Sequence, residues 1–590
     1  DDPSGLLALD RHHRTMSVYS SGTPIHSIVA DVGSYATKIG FAGEEYPRSY
    51  FRSNVAILRE EGKSSAGIAA AADADKSGGS SSNSNDATDD ATPTSTTQRR
   101  RQIQQVNYDS YSRPLCGDND GNWEAGNPVN SMTGLWYDAE HRSSGKSGAD
   151  WADLLPTFLE HGYSRSLGVQ STKENPLFLI ERSYNPPPLR QQMLEICMEE
   201  MEVPAVFFGR DATMSCYACG RTTGTVVDVG YNQTTVTPVF DGYVEQKGIR
   251  RSPIGSMAMD ELALSHLDKL AKGGVVKCTS QIKFPNASRN PAFLRLARLQ
   301  IAKDCRESGA GQSVTAAASK SLHVPSISYT LPDGQTVDVP SPNRFEVAEL
   351  VLGRPATAEA GTADGSDKQH AQRRRDMVQR KKEQYVAHMA KAATPPTDED
   401  DEDADADAAQ KYNEATAVGI SQRRTKRGAA GRSGGSNNDQ VQKKAAATAA
   451  KKCSFNNWQL QHACNSYFQA HVDQLTDSPI ASMICDAAYR CDRDQQASLL
   501  GNVVLGGGGA CIGPTDQAVP DLLKEQVEAI IHTHTPGWRV KVLSPGRKER
   551  SISSWLGGSI LGSLGAFHEM WITKAEYEEC GAAIINRKCP

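Results

Sequence analysis

The chain has 590 residues, of which 38% are hydrophobic and 6% aromatic, and its net charge is −6. That length suits one large two-lobed domain or three to four ordinary ones, and so low an apolar share predicts that part of the chain stays unfolded. The charge gives no overall pull toward nucleic acid or anionic membrane, and no run of about 18 apolar residues offers a membrane-spanning helix.

Residues 1–21 are polar and hold no apolar core of a signal peptide, so secretion is not expected. Thirteen cysteines, an odd number, are spread without zinc-type pairing. The lone CxxC of Cys216 and Cys219 and the pair Cys485 and Cys491 read as plain thiols of a reducing compartment. On that reading the glycosylation-like triplets at Asn232 and Asn286 carry no glycan.

In chain order, 27–31 reads as a buried strand and 37–41 as its hairpin partner across a Gly-Ser turn. Residues 63–104 are Ala, Ser, Asp, Asn and Thr with almost no large apolar side chains, and cannot offset chain entropy by burial. Leu189, Met193, Ile196 and Cys197 mark one face of a helix over 188–201. Residues 354–452 are again of low complexity, with an acidic block at 398–407 and basic clusters at 373–375, 381–382, 423–427 and 451–452. Within them, 373–393 reads as a transient charged helix. A helix-like segment covers 521–531. Near the end, Ile560, Leu561, Leu564, Phe567, Met570 and Trp571 recur at helical spacing, which predicts a well-buried amphipathic helix. Thr573 and Glu576 then form a capping-box pattern for a last short helix that Gly581 ends.

One tripeptide occurs twice in the same strand–turn–strand setting: Asp31-Val-Gly33 and Asp228-Val-Gly230. The repeat predicts a duplicated unit. Tight turns of this kind point backbone N–H groups into one concavity that suits anionic oxygens, and glycine lets a phosphate approach closely. Ser34 adds a hydroxyl and Lys38 a point charge. Asp31 and Asp228 would face each other across a cleft and hold a hydrated magnesium. Either turn alone is equally an ordinary hairpin. A third feature joins them at 503–511 (VVLGGGGAC), where an apolar strand runs into four glycines. A glycine run is also what a flexible linker has, but between a strand and a helix it suits backbone approach to a flat ligand.

With these parts assembled, the sequence resembles the actin superfamily. DVGSYATKIGFAGEEYPR (31–48) is similar to actin's first phosphate loop, and ACGRTTG (218–224) before Asp228 to the approach to its second. YTLPDGQ (329–335) with Asn343-Arg-Phe345, SWLGGSIL (554–561), MWITK (570–574) and RKCP (587–590) resemble further actin stretches. The likeness spans about residues 25–60, 110–353 and 480–590. It implies an α/β fold of two duplicated ribonuclease-H-like lobes around a nucleotide cleft, with long disordered insertions. A tail would cover 1–24, a first lobe 25–224 and a second 225–552, and 553–590 would return to the first. Implied ligands are ATP and Mg2+. Gly33, Ser34, Tyr35, Lys38, Gly230, Tyr231, Asn232, Lys303, Asp304, Gly506, Gly507 and Gly508 would bind the nucleotide, and Asp31 and Asp228 the metal through water.

Departures from actin bear on turnover. Asp211 stands where actin has a glutamine that orients the attacking water, and Thr235 where it has a histidine, so hydrolysis should slow. Alternatively Asp211 acts as a base or holds a magnesium water. Tyr231 and Asn232 replace Asp-Gly in the second loop. Cys511, Ile512 and Ser551 replace a methionine, a tyrosine and a lysine near the base.

The GSY turn (Gly33, Ser34, Tyr35), the stretch DGYVEQKG (241–248) and RKCP resemble the nuclear actin-like class. That likeness implies a nuclear, non-filamentous subunit of chromatin-remodelling and histone-acetylating assemblies. Its partners would be actin, a helical segment of a remodeller ATPase or acetyltransferase scaffold, and histones or nucleosomes, with no membrane. Insertions at two filament contacts would block head-to-tail packing. The alternatives are a cytoplasmic filament-forming or capping ATPase, and a sugar or glycerol kinase on the same two-lobed core.

Overall fold

Five consecutive residues, Ile-Val-Ala-Asp-Val, are all buried and form β1 (Ile28–Val32), as a strand covered on both faces requires. In this computed structural model the described residues are 26–58, 104–106, 123–126, 151–277, 291–308, 325–353, 372–380, 382–383, 466–467, 471–513, 515–533 and 535–590. The expected tail at 1–24 lies outside them. So do the expected insertions, apart from Gln104 and the helical residues 372–380 and 382–383.

β1 pairs antiparallel with β2 (Ala36–Phe41), and β2 with β3 (Ser49–Arg52). A separate three-stranded sheet holds β4 (Val55–Leu58) between β5 (Gln104–Val106) and β6 (Trp123–Gly126). β7 (Leu177–Glu181) runs parallel to β1, and β8 (Ala205–Arg210) parallel to β7. Parallel neighbours need a crossover. Between β7 and β8 it is the helix Pro187–Glu195 with its wider last turn Ile196–Glu200, whose expected apolar face (Leu189, Met193, Ile196, Cys197) is wholly buried.

The same plan recurs further along. β9 (Gly224–Val229) pairs antiparallel with β10 (Thr234–Phe240), which also carries β11 (Tyr243–Val244) and β12 (Arg250–Ser252). β13 (Ile327–Thr330) and β14 (Thr336–Val339) form a hairpin of their own. β15 (Val503–Gly506) lies parallel to β9, and β16 (Val542–Leu543) parallel to β15. The strand orders β8-β7-β1-β2-β3 and β16-β15-β9-β10-β11 correspond one to one. The repeated tripeptide therefore marks a repeated sheet, and each sheet has its own hydrophobic core.

The chain ends on the first sheet, where β17 (Ile572–Thr573) pairs antiparallel with β8. The helix Ser553–Gly562 lies across the helix Asp211–Ala218 and against β1 and β7. Its Trp555 is fully buried and donates from Nε1 to the Val29 carbonyl at 3.0 Å. Beside it the helices approach so closely that a Cβ on Gly557 would lie 1.8 Å from the Met214 carbonyl oxygen.

The buried amphipathic helix expected through Ile560 to Trp571 is not formed. The helix stops at Gly562, Leu564 is extended (φ −77°, ψ 124°), and a 3-10 turn covers Gly565–Met570. The chain turns after Gly562 because Phe567 and Trp571 pack back onto Phe178 of the first sheet. Ile560, Leu564 and Met570 are exposed as a result. Phe567 and Trp571 do turn inward, with ring centroids 5.9 and 6.1 Å from that of Phe178. The Thr573–Glu576 capping box forms as expected, and Gly581 closes that helix with φ 70°.

One arginine ties part of the charged stretch down. In the helical residues 372–380, Arg374 is buried and donates to the carbonyls of Leu350, Asp477 and Ser478, the last two at 2.6 Å. Arg373 pairs with Glu346.

Candidate functional site

The β1–β2 register sets Asp31 directly opposite Lys38 and Val32 opposite Thr37. Only Gly33, Ser34 and Tyr35 remain for the turn, which closes when the Gly33 N–H donates to the Ala36 carbonyl at 3.2 Å. The second turn closes the same way, Gly230 N–H to the Gln233 carbonyl at 2.9 Å. There the β9–β10 register sets Asp228 opposite Thr235.

β15 delivers the glycine run onto the second turn, with Gly506 beside Asp228. Gly507 has φ 88°, and a Cβ there would lie 2.4 Å from Asp228 Oδ1 and from the Val229 carbonyl oxygen. Only glycine fits that approach. A Cβ on Gly508 would meet nothing within 4 Å.

These elements enclose a cavity of about 450 Å³ between the two sheets, within the range of small-molecule sites. Of the expected residues, Asp31, Gly33, Ser34, Tyr35, Lys38, Asp228, Gly230, Tyr231, Lys303, Gly507 and Gly508 line it, as do Cys511, Ile512 and Ser551. Asn232 is buried behind the turn, and Gly506 packs against Ser553. Asp304 is exposed and accepts from Gln300 at 3.1 Å instead. In its place Glu307 reaches the cavity, 3.7 Å from Lys303. Residues four apart share a helix face and adjacent ones do not, so the acidic partner of Lys303 is Glu307.

Tyr35 clasps the two lobes together. The Arg52 guanidinium lies 3.9 Å from the centre of its ring and Lys303 Nζ 4.1 Å. The ring of Tyr231 is 5.1 Å away, and Lys303 donates to the Tyr35 hydroxyl.

Asp211 and Thr235 lie outside the main cavity. With Asp228 and Ser554 they border a void of about 10 Å³, roughly the room one water needs. Asp211 Oδ1 accepts the N–H groups of Ser183 (2.9 Å) and Ala212 (2.8 Å) and the Ser183 hydroxyl. Its Oδ2 accepts from Arg182 Nη1 at 3.2 Å. Its oxygens are thus occupied by orienting contacts.

Arg182, which the sequence reading missed, is the central cation. It follows β7 directly, and its Nη1 lies 3.2 Å from Asp211 and 3.5 Å from Asp228. Ligands of parallel sheets gather at the carboxyl ends of strands, which was the signal for it. Burial works against its charge, but Asp211 foremost, with Asp228 and Asp31, holds its pKa above the ordinary value. Burial also works to raise Asp31, yet Lys38, then Arg182, bring that carboxyl below its usual range. Asp228 goes the other way, raised first by burial, with Arg182 only partly offsetting it.

Magnesium fits these residues poorly. Lys38 Nζ and Ser554 Oγ already hold Asp31 Oδ2 at 2.7 and 2.8 Å, and Arg182 holds Asp228. Both carboxylates that were expected to face a hydrated metal face side-chain cations instead.

Comparison with known proteins agrees with this architecture. A family profile described as Actin matches residues 22–400 and 441–590. Actin-related protein 4 of Oryza sativa subsp. indica is 26% identical over 587 residues, covering 96% of this chain and 99% of its own length. Actin-related protein 4 of Arabidopsis thaliana is 28% identical over 588 residues, and that of Mycosarcoma maydis 26% over 629, both with the same coverage. The duplicated sheets, the paired turns and a match along most of the sequence make this chain a member of the actin family, an actin-related protein.

Proposed function

We propose that this chain is a nuclear, non-filamentous actin-related protein that binds ATP and serves as a structural subunit of chromatin-remodelling and histone-acetylating assemblies. The observation that carries the ATP reading is the cavity itself: two glycine turns and a glycine run converge on it, among six basic and three acidic lining side chains. Backbone N–H groups and fixed cations in one concavity suit a polyphosphate. Three donors on Asp211 Oδ1 and an Arg182 contact on its Oδ2, together with a threonine at 235, support slow hydrolysis, because the carboxylate is engaged in holding other groups and threonine is no base. The nuclear role is supported by the likeness of the GSY turn, the 241–248 stretch and the terminal RKCP to the nuclear actin-like class. Its partners there would be actin, a scaffold helix, and histones or nucleosomes.

The test is to purify the full chain and measure ATP binding, phosphate release and sedimentation together. Saturable ATP binding with slow release and no pelleting is expected. Robust pelleting with fast phosphate release would retire the scaffold reading in favour of a filament-forming ATPase. Affinity purification with mass spectrometry should recover actin and chromatin proteins, and their absence would overturn the nuclear assignment.

A further inference from the structure

We propose that the Arg182 guanidinium takes the cation position of this cleft, so that ATP binds here without a divalent metal. The inference rests on the nucleotide reading of the cavity. Three observations carry it.

The first is position. Arg182 leaves the end of β7 between the two turns: Nη1 reaches Asp228 on the second, and a Cβ on Gly33 of the first would lie 3.9 Å from Nη2. The second is register. Asp31 has its own cation opposite it in Lys38, whereas Asp228 has the neutral Thr235. Arg182, anchored by Asp211 at 3.2 Å, supplies the missing charge from across the cleft. The third is the charge of the wall. Lys38, Arg182, Lys303, Arg306, Arg547 and Lys548 line the cavity with Asp31, Asp228 and Glu307; Arg306 and Arg547 are held by Asp260 and Asp516 behind the wall, both at 2.8 Å, while Lys38, Lys303 and Arg182 stand nearest the two turns.

Magnesium serves such sites by neutralising phosphate oxygens from one or two carboxylates while keeping most of its waters. Here Lys38 pairs with Asp31, and Arg182 stands between Asp211 and Asp228, so a dication would sit beside two side-chain cations of like charge. A guanidinium offers a planar fork that matches phosphate oxygens, so Arg182 can turn one edge to a phosphate while Asp211 holds the other.

Calorimetric titration of the full-length protein with ATP, in excess EDTA and then in excess MgCl2, tests this. The wild type should bind ATP in EDTA and change affinity less than about threefold with magnesium, while Arg182→Ala should gain at least about tenfold from it. Arg182→Lys keeps a charge, retains binding in EDTA, and guards against a fold defect in the alanine variant, as does circular dichroism of all three. With Mn2+ in place of Mg2+, electron paramagnetic resonance should show no protein-bound metal in the wild-type ATP complex. A wild type that gains more than about threefold from magnesium overturns the inference and leaves the nucleotide reading intact. An Arg182→Ala variant that responds to magnesium as the wild type does also overturns it. Failure of ATP to bind in any arm overturns the nucleotide reading, and the inference with it.

Discussion

Gly557 offers the sharpest test of how the end of the chain packs back onto the first sheet. A Cβ there would lie 1.8, 2.5 and 2.9 Å from the oxygen, carbon and Cα of Met214. The obstacle is helix backbone, which cannot rotate aside as a side chain does. Reaching an ordinary contact of 3.4 Å requires the helices Ser553–Gly562 and Asp211–Ala218 to part by about 1.6 Å. That shift would loosen Trp555, Gly558 against Val29 and Phe178, and the 3.3 Å contact of Ser215 with Ser553. Overpacking of this size costs about 3 kcal/mol, and alanine returns about 1 kcal/mol in helix propensity, for a net loss of about 2 kcal/mol. Gly562, in the same helix, is the control. A Cβ there meets neighbours at 3.3, 3.4 and 3.7 Å, so Gly562→Ala should be neutral or stabilise by at most about 1 kcal/mol. Scanning calorimetry of both variants should show Gly557→Ala melting roughly 2 to 6 °C below the wild type. A Gly557→Ala protein that melts at or above wild type, or no differently from Gly562→Ala, would refute the close approach as the reason for this glycine.

Three further outcomes follow from the same geometry. Tyr35→Ala removes two cation–π contacts and an aromatic pair, each worth about 0.5–1.5 kcal/mol. ATP should then dissociate at least about tenfold faster in stopped flow, and an unchanged rate would show that the clasp does not gate the cleft. His266 is pushed down to about 4, first by burial, then by Lys269 and Arg373, which outweigh Glu346 3.1 Å from its Nε2 because Arg373 pairs with that same carboxylate. Its native ring stays neutral where an unfolded histidine, with pKa about 6.5, protonates. Its contribution is complete above about pH 6.5 and is lost as pH falls toward 4, by up to about 1.4 kcal/mol per unit. Urea denaturation at pH 7 and pH 5 should show that slope in the wild type and a shallower one in His266→Gln, and equal slopes would count against it. Arg374→Met leaves the Leu350, Asp477 and Ser478 carbonyls without their donor, at a cost of about 3 kcal/mol. Limited proteolysis should then cut within 372–380 several-fold faster than in the wild type, and equal resistance of that segment in the two proteins would mean the arginine does not anchor the helix.

Much of this was legible in the sequence because it is written in short periods. The tripeptide repeat and the run of four glycines each have a bland reading alone, but together they predict paired turns on a duplicated unit, and the duplicated sheets carry them. The Thr573–Glu576 cap was legible for the same local reason. What failed was whatever depended on contacts far apart in sequence. The apolar spacing from Ile560 to Trp571 looked helical, but aromatic contacts with β7 and β8 turned the chain after Gly562 and chose which side chains face in. Asp304 and Glu307 differ by less than one helical turn, so an alignment uncertain by a few residues selected the wrong acid. Arg182 and Asp211 lie 29 residues apart, and no local pattern announces that the two meet.

The deepest consequence concerns how a duplicated fold comes to hold one asymmetric cleft. Both copies present a carboxylate at the end of their first strand, then a glycine turn closed by an N–H bond to the residue three places on. If the copies were identical, each aspartate would face a lysine across its hairpin, and each half would neutralise itself. In this chain Asp31 faces Lys38 while Asp228 faces Thr235. The second aspartate is therefore left to find its counter-charge outside its own sheet, and it finds Arg182 on the first. An ion pair that spans the two sheets resists their separation in a way that two self-contained hairpins cannot. The difference in register, threonine at 235 where the first copy has Lys38, thus leaves the two turns inequivalent and places a guanidinium where the two copies meet.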